Sequence, residues 1–233
     1  MSSFLTAALA RAQGFLLEPA TEPAAERQNR VVAAVVPADP IRVAVLGLGH
    51  RCGVTTVARG LALALALSGT RSVHLLSLAG AEGAASAGRE IGGGHVTRWE
   101  VPLALRKPSE VAEYGATVER LAAGTPATVW DVAAGETDRA SAVISSCDRV
   151  VAVVASSAEP ALAALVCEML GERYGAVLLV ANRVRDREGW ERHSAAALPE
   201  SRLGALLTGR GRMPGGGLGV ALRRLAASVG EGS

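Results

Sequence analysis

Residues 41–69 read IRVAVLGLGHRCGVTTVARGLALALALSG, and the fold class follows from how this stretch divides. IRVAVLG is an apolar run with Pro40 before it and glycines after it, the mark of a strand buried on both faces. GLGHRCG is a glycine-containing loop. VTTVARGLALALALSG has the length and composition of a helix, ended by Gly69. The next apolar run, VHLLSLAG at 73–80, reads as a second strand. Strand, loop, helix, strand is the opening of a parallel α/β domain.

The pattern continues outward. KPSEVAEYGATVERLAAG predicts a helix with Pro108 near its start and Gly124 after it. TPATVWDVAAG predicts a strand ending at Asp131, DRVVAVVASS another, and AVLLVANRV a further one, with EPALAALVCEMLGERYG as a helix between the last two. The Ala- and Gly-rich stretch 81–94 reads as irregular. The tail reads as a loop around LPESRLG, a glycine-rich turn at GRMPGGGLG, and a last helix through VALRRLAASV. At least five strands alternate with helices and no repeat is evident, so the expected architecture is a three-layer α/β domain with a mostly parallel central sheet. Residues 41–233 form that domain. Residues 1–40 are set apart as an N-terminal helix, with Phe4, Leu5, Ala8, Leu9, Ala12, Phe15 and Leu16 on one side, and a linker that begins with the polar, proline-marked 17–28. The single Arg11 is poor support for binding anionic lipid, and the first helix is expected to dock on the domain. The last helix carries Leu218, Leu222, Leu225 and Val229 on one side, which favours covering the core over membrane contact.

Composition removes several functions. With 49% apolar and 20% charged residues, the 233-residue chain is no disordered tail. The balance of 24 basic against 22 acidic side chains leaves +2, too little for a dedicated duplex-binding face. Aromatic residues at 3% do not supply base-stacking platforms. Cys52, Cys147 and Cys167 are odd in number and widely spaced, which fits reduced cytoplasmic thiols better than disulfides or a metal cluster. No window is long and apolar enough for a membrane span, and no basic leader precedes the first apolar residues. Among the basic residues only one, Lys107, is a lysine.

The glycines at 47, 49 and 53 admit three readings. A dinucleotide fingerprint brings backbone close to a pyrophosphate at a helix N-terminus and asks for an acid at the end of the second strand. That strand ends Ser77-Leu78-Ala79-Gly80, with no acid; only a phosphorylated ribose meeting Arg71 or Arg89 rescues the reading. A P-loop wraps phosphates in backbone amides and asks for a hydroxyl inside the helix, an acid at a later strand tip and a polar residue for the base. Thr55, Asp131 and Asn182 stand in those places, so the P-loop is preferred. The third reading is a tight turn with no ligand.

The ordered series resembles the MinD/ParA-like family of P-loop ATPases (SIMIBI class) over roughly residues 41–229. The family's KGGxGKTT loop is matched by Gly49-His50-Arg51-Cys52-Gly53-Val54-Thr55-Thr56, and its DxPxG-like turn by Asp131-Val132-Ala133-Ala134-Gly135. Its segment after the next strand is matched by Ser156 to Leu162, and its "vvNrv" strand end by Val180-Ala181-Asn182-Arg183-Val184. The resemblance implies ATP or ADP with Mg2+, a homodimer or a protein partner, and positioning work in the cell. It places nucleotide contacts at Cys52, Gly53, Val54, Thr55, Thr56 and Asn182, and magnesium at Thr55 and Asp131; Arg51 joins the nucleotide contacts by its position alone.

The departures are chemical. The loop-terminal lysine is Val54, the signature lysine that reaches across a dimer is Gly49, and the first aspartate after the second strand is Ser77. Valine cannot neutralise charge that develops on a transferred phosphate. The expectation is therefore a degenerate Walker A site with weak or absent hydrolysis and a regulatory or partner-binding role. No catalytic residue is assigned. The alternatives are an active ATPase in which arginine, with Arg51 as candidate, replaces the lysine, and an NADP-dependent oxidoreductase. Plainer roles stay open for each residue: helix capping for Thr55 and Thr56, a strand-end turn for Asp131, loop support for Asn182, a small apolar filler for Cys52.

Overall fold

The computed structural model describes residues 40–68, 72–78, 88–121, 127–185 and 189–231; the expected N-terminal helix and linker, together with Arg71, Ala79 and Gly80, lie outside them. Among the described residues eight strands form one sheet: β1 Ile41–Gly47, β2 Val73–Ser77, β3 Arg89–Ile91, β4 Val96–Glu100, β5 Ala127–Val132, β6 Arg149–Ala155, β7 Val177–Val184 and β8 Ala196–Pro199. Their order is β3-β4-β2-β5-β1-β6-β7-β8. Every pairing is parallel except β3 with β4.

The helices are α1 Val54–Leu67, α2 Pro108–Leu121, α3 Ser141–Ile144, α4 Pro160–Tyr174, α5 Arg202–Gly209 and α6 Gly216–Gly230. Alternation along β1 explains its unbroken apolar run. Val43 and Val45 face a core shared with α1 and α6, whereas Ala44 and Leu46 face a second core that includes Val111 and Val118 of α2 and Val143 and Ile144 of α3. A third cluster packs Ala163 of α4 on β6 and β7 and takes in the buried Trp190. The result is the expected three-layer α/β architecture. Leu218, Leu222, Leu225 and Val229 of α6 are all buried in the first core. Among the described residues no helix is long and apolar enough to cross a membrane.

Local differences from the sequence reading have simple causes. Residues 89–91 of the stretch read as irregular form β3, which turns back through Gly92, Gly93 and Gly94, all at positive φ, to pair with β4. β5 runs one residue past Asp131, to Val132. The region read as a loop around LPESRLG holds the end of β8 and the start of α5, whose first turn is capped where Ser201 Oγ accepts from the Gly204 amide at 2.9 Å. The glycine-rich turn ends at Gly215, because α6 begins at Gly216.

Candidate functional site

β1 lies between β5 and β6, yet the chain leaves it through α1 toward β2 on one side and reaches β6 on the other. This is the switch point at the carboxyl ends of parallel strands where open α/β sheets form clefts. The loop from Leu48 to Gly53 crosses that point. The Leu48 amide donates to the Val153 carbonyl at 2.9 Å, which fixes the loop to β6. Gly53 enters α1 at φ +84, and a Cβ there would lie 2.2 Å from Asn182 Nδ2. Only glycine satisfies both conditions. Arg51, where the resembled loop has a glycine, also takes a left-handed φ of 55.

The loop interior is apolar. A Cβ on Gly47 would stand 3.2 Å from Cys52 Sγ and 3.5 Å from Val54 Cβ, so these two side chains fill the space beneath the loop. Val54 is 9% exposed and brings no charge. The Thr56 and Val57 amides turn back to the Gly53 carbonyl at 3.0 and 3.1 Å. The amides of residues 49–55 have no acceptor among the described residues. Residues 49–55 line a cleft of about 240 Å3 closed on its other side by Ala133 and Ala134. His50 and Arg51 are exposed at its mouth.

Asp131 stands below the start of α1. Register places it beside Ser77 of β2 and Val45 of β1, all on the α1 face. Thr55 Oγ1 donates to Asp131 Oδ1 at 3.3 Å and Ser77 Oγ donates to Asp131 Oδ2 at 3.0 Å. At 1% exposure, burial pushes the carboxyl pKa up. The two hydroxyl hydrogen bonds and the charges of Arg59 and Arg98 pull the other way. Arg59 sits one turn beyond Thr55, half-buried, and its own pKa is lowered by burial and by the charge of Arg98. Arg98 pairs with Glu100 two residues on. Arg59 Nε, Arg98 Nε and Glu100 Oε2 are buried without hydrogen-bond partners among the described residues.

Asn182 is 5% exposed. Its Nδ2 donates to the Cys52 carbonyl at 2.8 Å and its Oδ1 accepts from the Arg183 amide at 3.0 Å. The side chain thus ties β7 to the loop. A second cleft, about 320 Å3, opens beside it between Thr56, Arg183, Glu200 and Arg202. Glu200 accepts from Arg185 Nε at 2.6 Å, and that bond and charge, with smaller help from Arg202 and Arg183, hold its carboxyl below the usual range.

The structure therefore brings together the loop 51–56, Asp131 and Asn182. Lys107 stands elsewhere, exposed at the start of α2 and 3.8 Å from Glu110. Arg89 is exposed on β3, separated from β2 by β4. Burial and the neighbouring Asp148 push the Cys147 thiol up to about 12, which disfavours the thiolate. Among the described residues no three His, Cys, Asp or Glu side chains converge as a metal site. Sequence reasoning missed Arg59, Arg98 and Glu100. Their signal was legible: a lone arginine inside the apolar run of α1, and alternate positions of VTRWE that share one sheet face.

No family model matches the chain, and no curated protein matches it. Solved structures do. The ParA family ATPase of Chlorobium tepidum TLS superposes with a TM-score of 0.63 at 14% identity, over 81% of this chain and 98% of that one. The septum site-determining protein MinD of Pyrococcus horikoshii OT3, complexed with Mg-ADP, gives 0.61 at 18% identity, over 82% and 96%. The MinC:MinD cell division protein complex of Aquifex aeolicus gives 0.63 at 15% identity, over 83% and 96%. At these identities the likeness is one of fold, and the chain has a MinD/ParA-like, P-loop NTPase-like α/β fold.

Proposed function

We propose that this chain is a nucleotide-binding protein of MinD/ParA-like architecture, with a degenerate Walker A loop, that holds ATP or ADP with Mg2+, hydrolyses it weakly or not at all, and works through a homodimer or another protein partner. The observation that carries the reading is the pairing of a kept cradle with an apolar Val54. Thr55 and Asp131 remain within 3.3 Å of each other, while the position of the loop-terminal lysine is filled by a valine packed under the loop. The donor set suits magnesium, which takes hard oxygen ligands and is held by one or two protein groups plus phosphates. Amides of residues 49–55 without acceptors among the described residues suit the phosphates, and the cleft beside Asn182 and Thr56 suits the nucleoside. When bound, magnesium would neutralise phosphate charge. The chain's own residues orient the hydroxyl and the amides.

Catalysis of phosphoryl transfer rests on cations placed around the moving group. Neither Val54 nor Ser77 supplies charge there, which supports slow turnover. The likeness in fold to MinD in the MinC:MinD cell division protein complex supports a protein partner, and glycine in place of lysine at position 49 disfavours a dimer clamped by that residue.

Calorimetric titration with ATP, ADP and NADPH, each with and without magnesium, tests the reading. Binding of ATP and ADP that strengthens with magnesium is expected, with negligible phosphate release. Tight NADPH binding without an ATP signal would overturn the nucleotide assignment, and robust turnover by the protein alone would overturn the degenerate one.

A further inference from the structure

Two non-glycine residues among those described have positive φ: Arg51 at 55 and Arg183 at 62. Both are arginines, and both flank Gly53. Arg183 is the extra residue of a bulge in β7, because Asn182 pairs with Leu198 and Val184 with Pro199, with Arg183 left over between them. A bulge of this kind re-aims a side chain out of sheet register. The backbone on each side is pinned. The Arg183 amide donates to Asn182 Oδ1 at 3.0 Å, the Arg183 carbonyl accepts from Ser156 Oγ at 2.8 Å, and the Ser156 amide donates to the Asn182 carbonyl at 3.0 Å. A left-handed arginine costs about 1 kcal/mol, so this conformation persists because the three bonds hold it.

The re-aimed side chain goes to the loop. Arg183 Nε lies 3.9 Å from the point where a Cβ on Gly53 would stand. Arg183 also walls the cleft beside Asn182 and Thr56. Gly53 lines the neighbouring cleft, so the solvent-exposed Arg183 walls one cleft and brings its Nε near a residue that lines the other, at the first turn of α1. It makes no hydrogen bond or ion pair there with another described residue. The nearest acid in that wall, Glu200, is engaged by Arg185.

We propose that Arg183 is the phosphate-binding cation of this site and takes over, from β7, the charge that the loop lost at Val54. The inference rests on the nucleotide reading above. The ligand class is a nucleoside di- or triphosphate, contacted through the planar guanidinium fork. Arg183 is a binding residue in this account and lies beside the phosphates as a fixed charge.

Arg183→Gly removes the cation and accepts positive φ without strain, so the unliganded variant should melt no lower than wild type. Arg183→Asn, which tolerates the same backbone, serves as a second variant should the first fail to fold. In calorimetric titration with Mg-ADP and Mg-ATP, either variant should bind about tenfold more weakly or worse, and its affinity should vary less with added salt than that of wild type. Arg183→Lys should recover part of the loss. If wild type binds nucleotide and the variants match it in affinity and salt dependence, the assignment of Arg183 is overturned and the nucleotide reading stands. If wild type binds no nucleotide, that reading fails and this inference falls with it.

Discussion

At 1% exposure the Asp131 carboxyl has little water to carry a charge, and two hydroxyls are its hydrogen-bond donors. Arg59 and Arg98 act on it by charge without a hydrogen bond. Such a group is held at a cost that a bound cation would offset. Asp131→Asn keeps the shape, accepts from one hydroxyl and donates to the other. The unliganded variant should gain on the order of 1 kcal/mol, which raises Tm by about 2–4 °C, while losing the magnesium-dependent part of nucleotide binding. A lower Tm would mean that the two arginines already compensate the charge. Val54 offers the converse substitution. Val54→Lys gives up packing beneath the loop, at roughly 1 kcal/mol, and adds a cation at the first residue of α1. Mg-ATP should bind about tenfold more tightly; unchanged affinity would show that this position does not face the phosphates.

Among elements, the same substitution should have opposite signs on two helices. In α2 a Cβ on Gly115 would lie 2.3 Å from Cζ2 of the buried Trp130, a rigid ring inside the core. Gly115→Ala should cost about 1–3 kcal/mol by overpacking. In α4 a Cβ on Gly171 would meet nothing within 4 Å, and Gly171→Ala should add about 0.5–1 kcal/mol by restricting the unfolded chain. Urea denaturation midpoints report both, and a shared sign would contradict this packing. β1, β2, β5, β6, β7 and α1 were visible in the sequence because their apolar runs match their burial, and α2, α4 and α6 from their length and composition. β4 escaped notice because VTRWE places Arg98 and Glu100 on the same face as Val96, so no apolar run marks it. β8 is four residues long and alanine-rich. Within the candidate site, the places of Thr55, Asp131 and Asn182 beside the loop were legible because they go with spacing from glycines and strand ends. Arg183 was legible only as part of the strand end Val180–Val184, since a bulge depends on hydrogen bonds with Ser156 and Asn182, and residues 156 and 182 meet only in the folded sheet.

For the whole molecule, a net charge of +2 conceals arginines spent as ties between elements. Arg42 of β1 pairs with Glu119 of α2 at 2.6 Å, and buried Arg139 donates to the Leu105 carbonyl at 2.6 Å and to the Pro102 carbonyl. The pH dependence of stability should therefore come from a few buried groups rather than from net charge. His74 is one. It is 5% exposed on β2, and its Nδ1 accepts from Trp99 Nε1 of β4 at 2.7 Å, so the imidazole is neutral in the fold. Burial lowers its pKa from the ordinary 6.5, with the charge of Glu119 opposing. The unfolded chain then takes up a proton near 6.5 before the folded one does. Stability from this residue is complete above that pH and falls as pH drops below it, by at most about 1.4 kcal/mol per pH unit. Asp131 acts in the reverse sense, because its raised pKa lets the folded state take a proton first on acidification. His74→Gln keeps an acceptor for Trp99, removes the titration and leaves Asp131 in place, so the contribution of Asp131 cancels in a comparison with wild type. Between about pH 7.5 and about pH 5.5 the Tm of wild type should fall relative to that of the variant. Parallel curves would mean that His74 takes its proton in the fold as readily as in the unfolded chain, and that its bond to Trp99 does not hold it neutral.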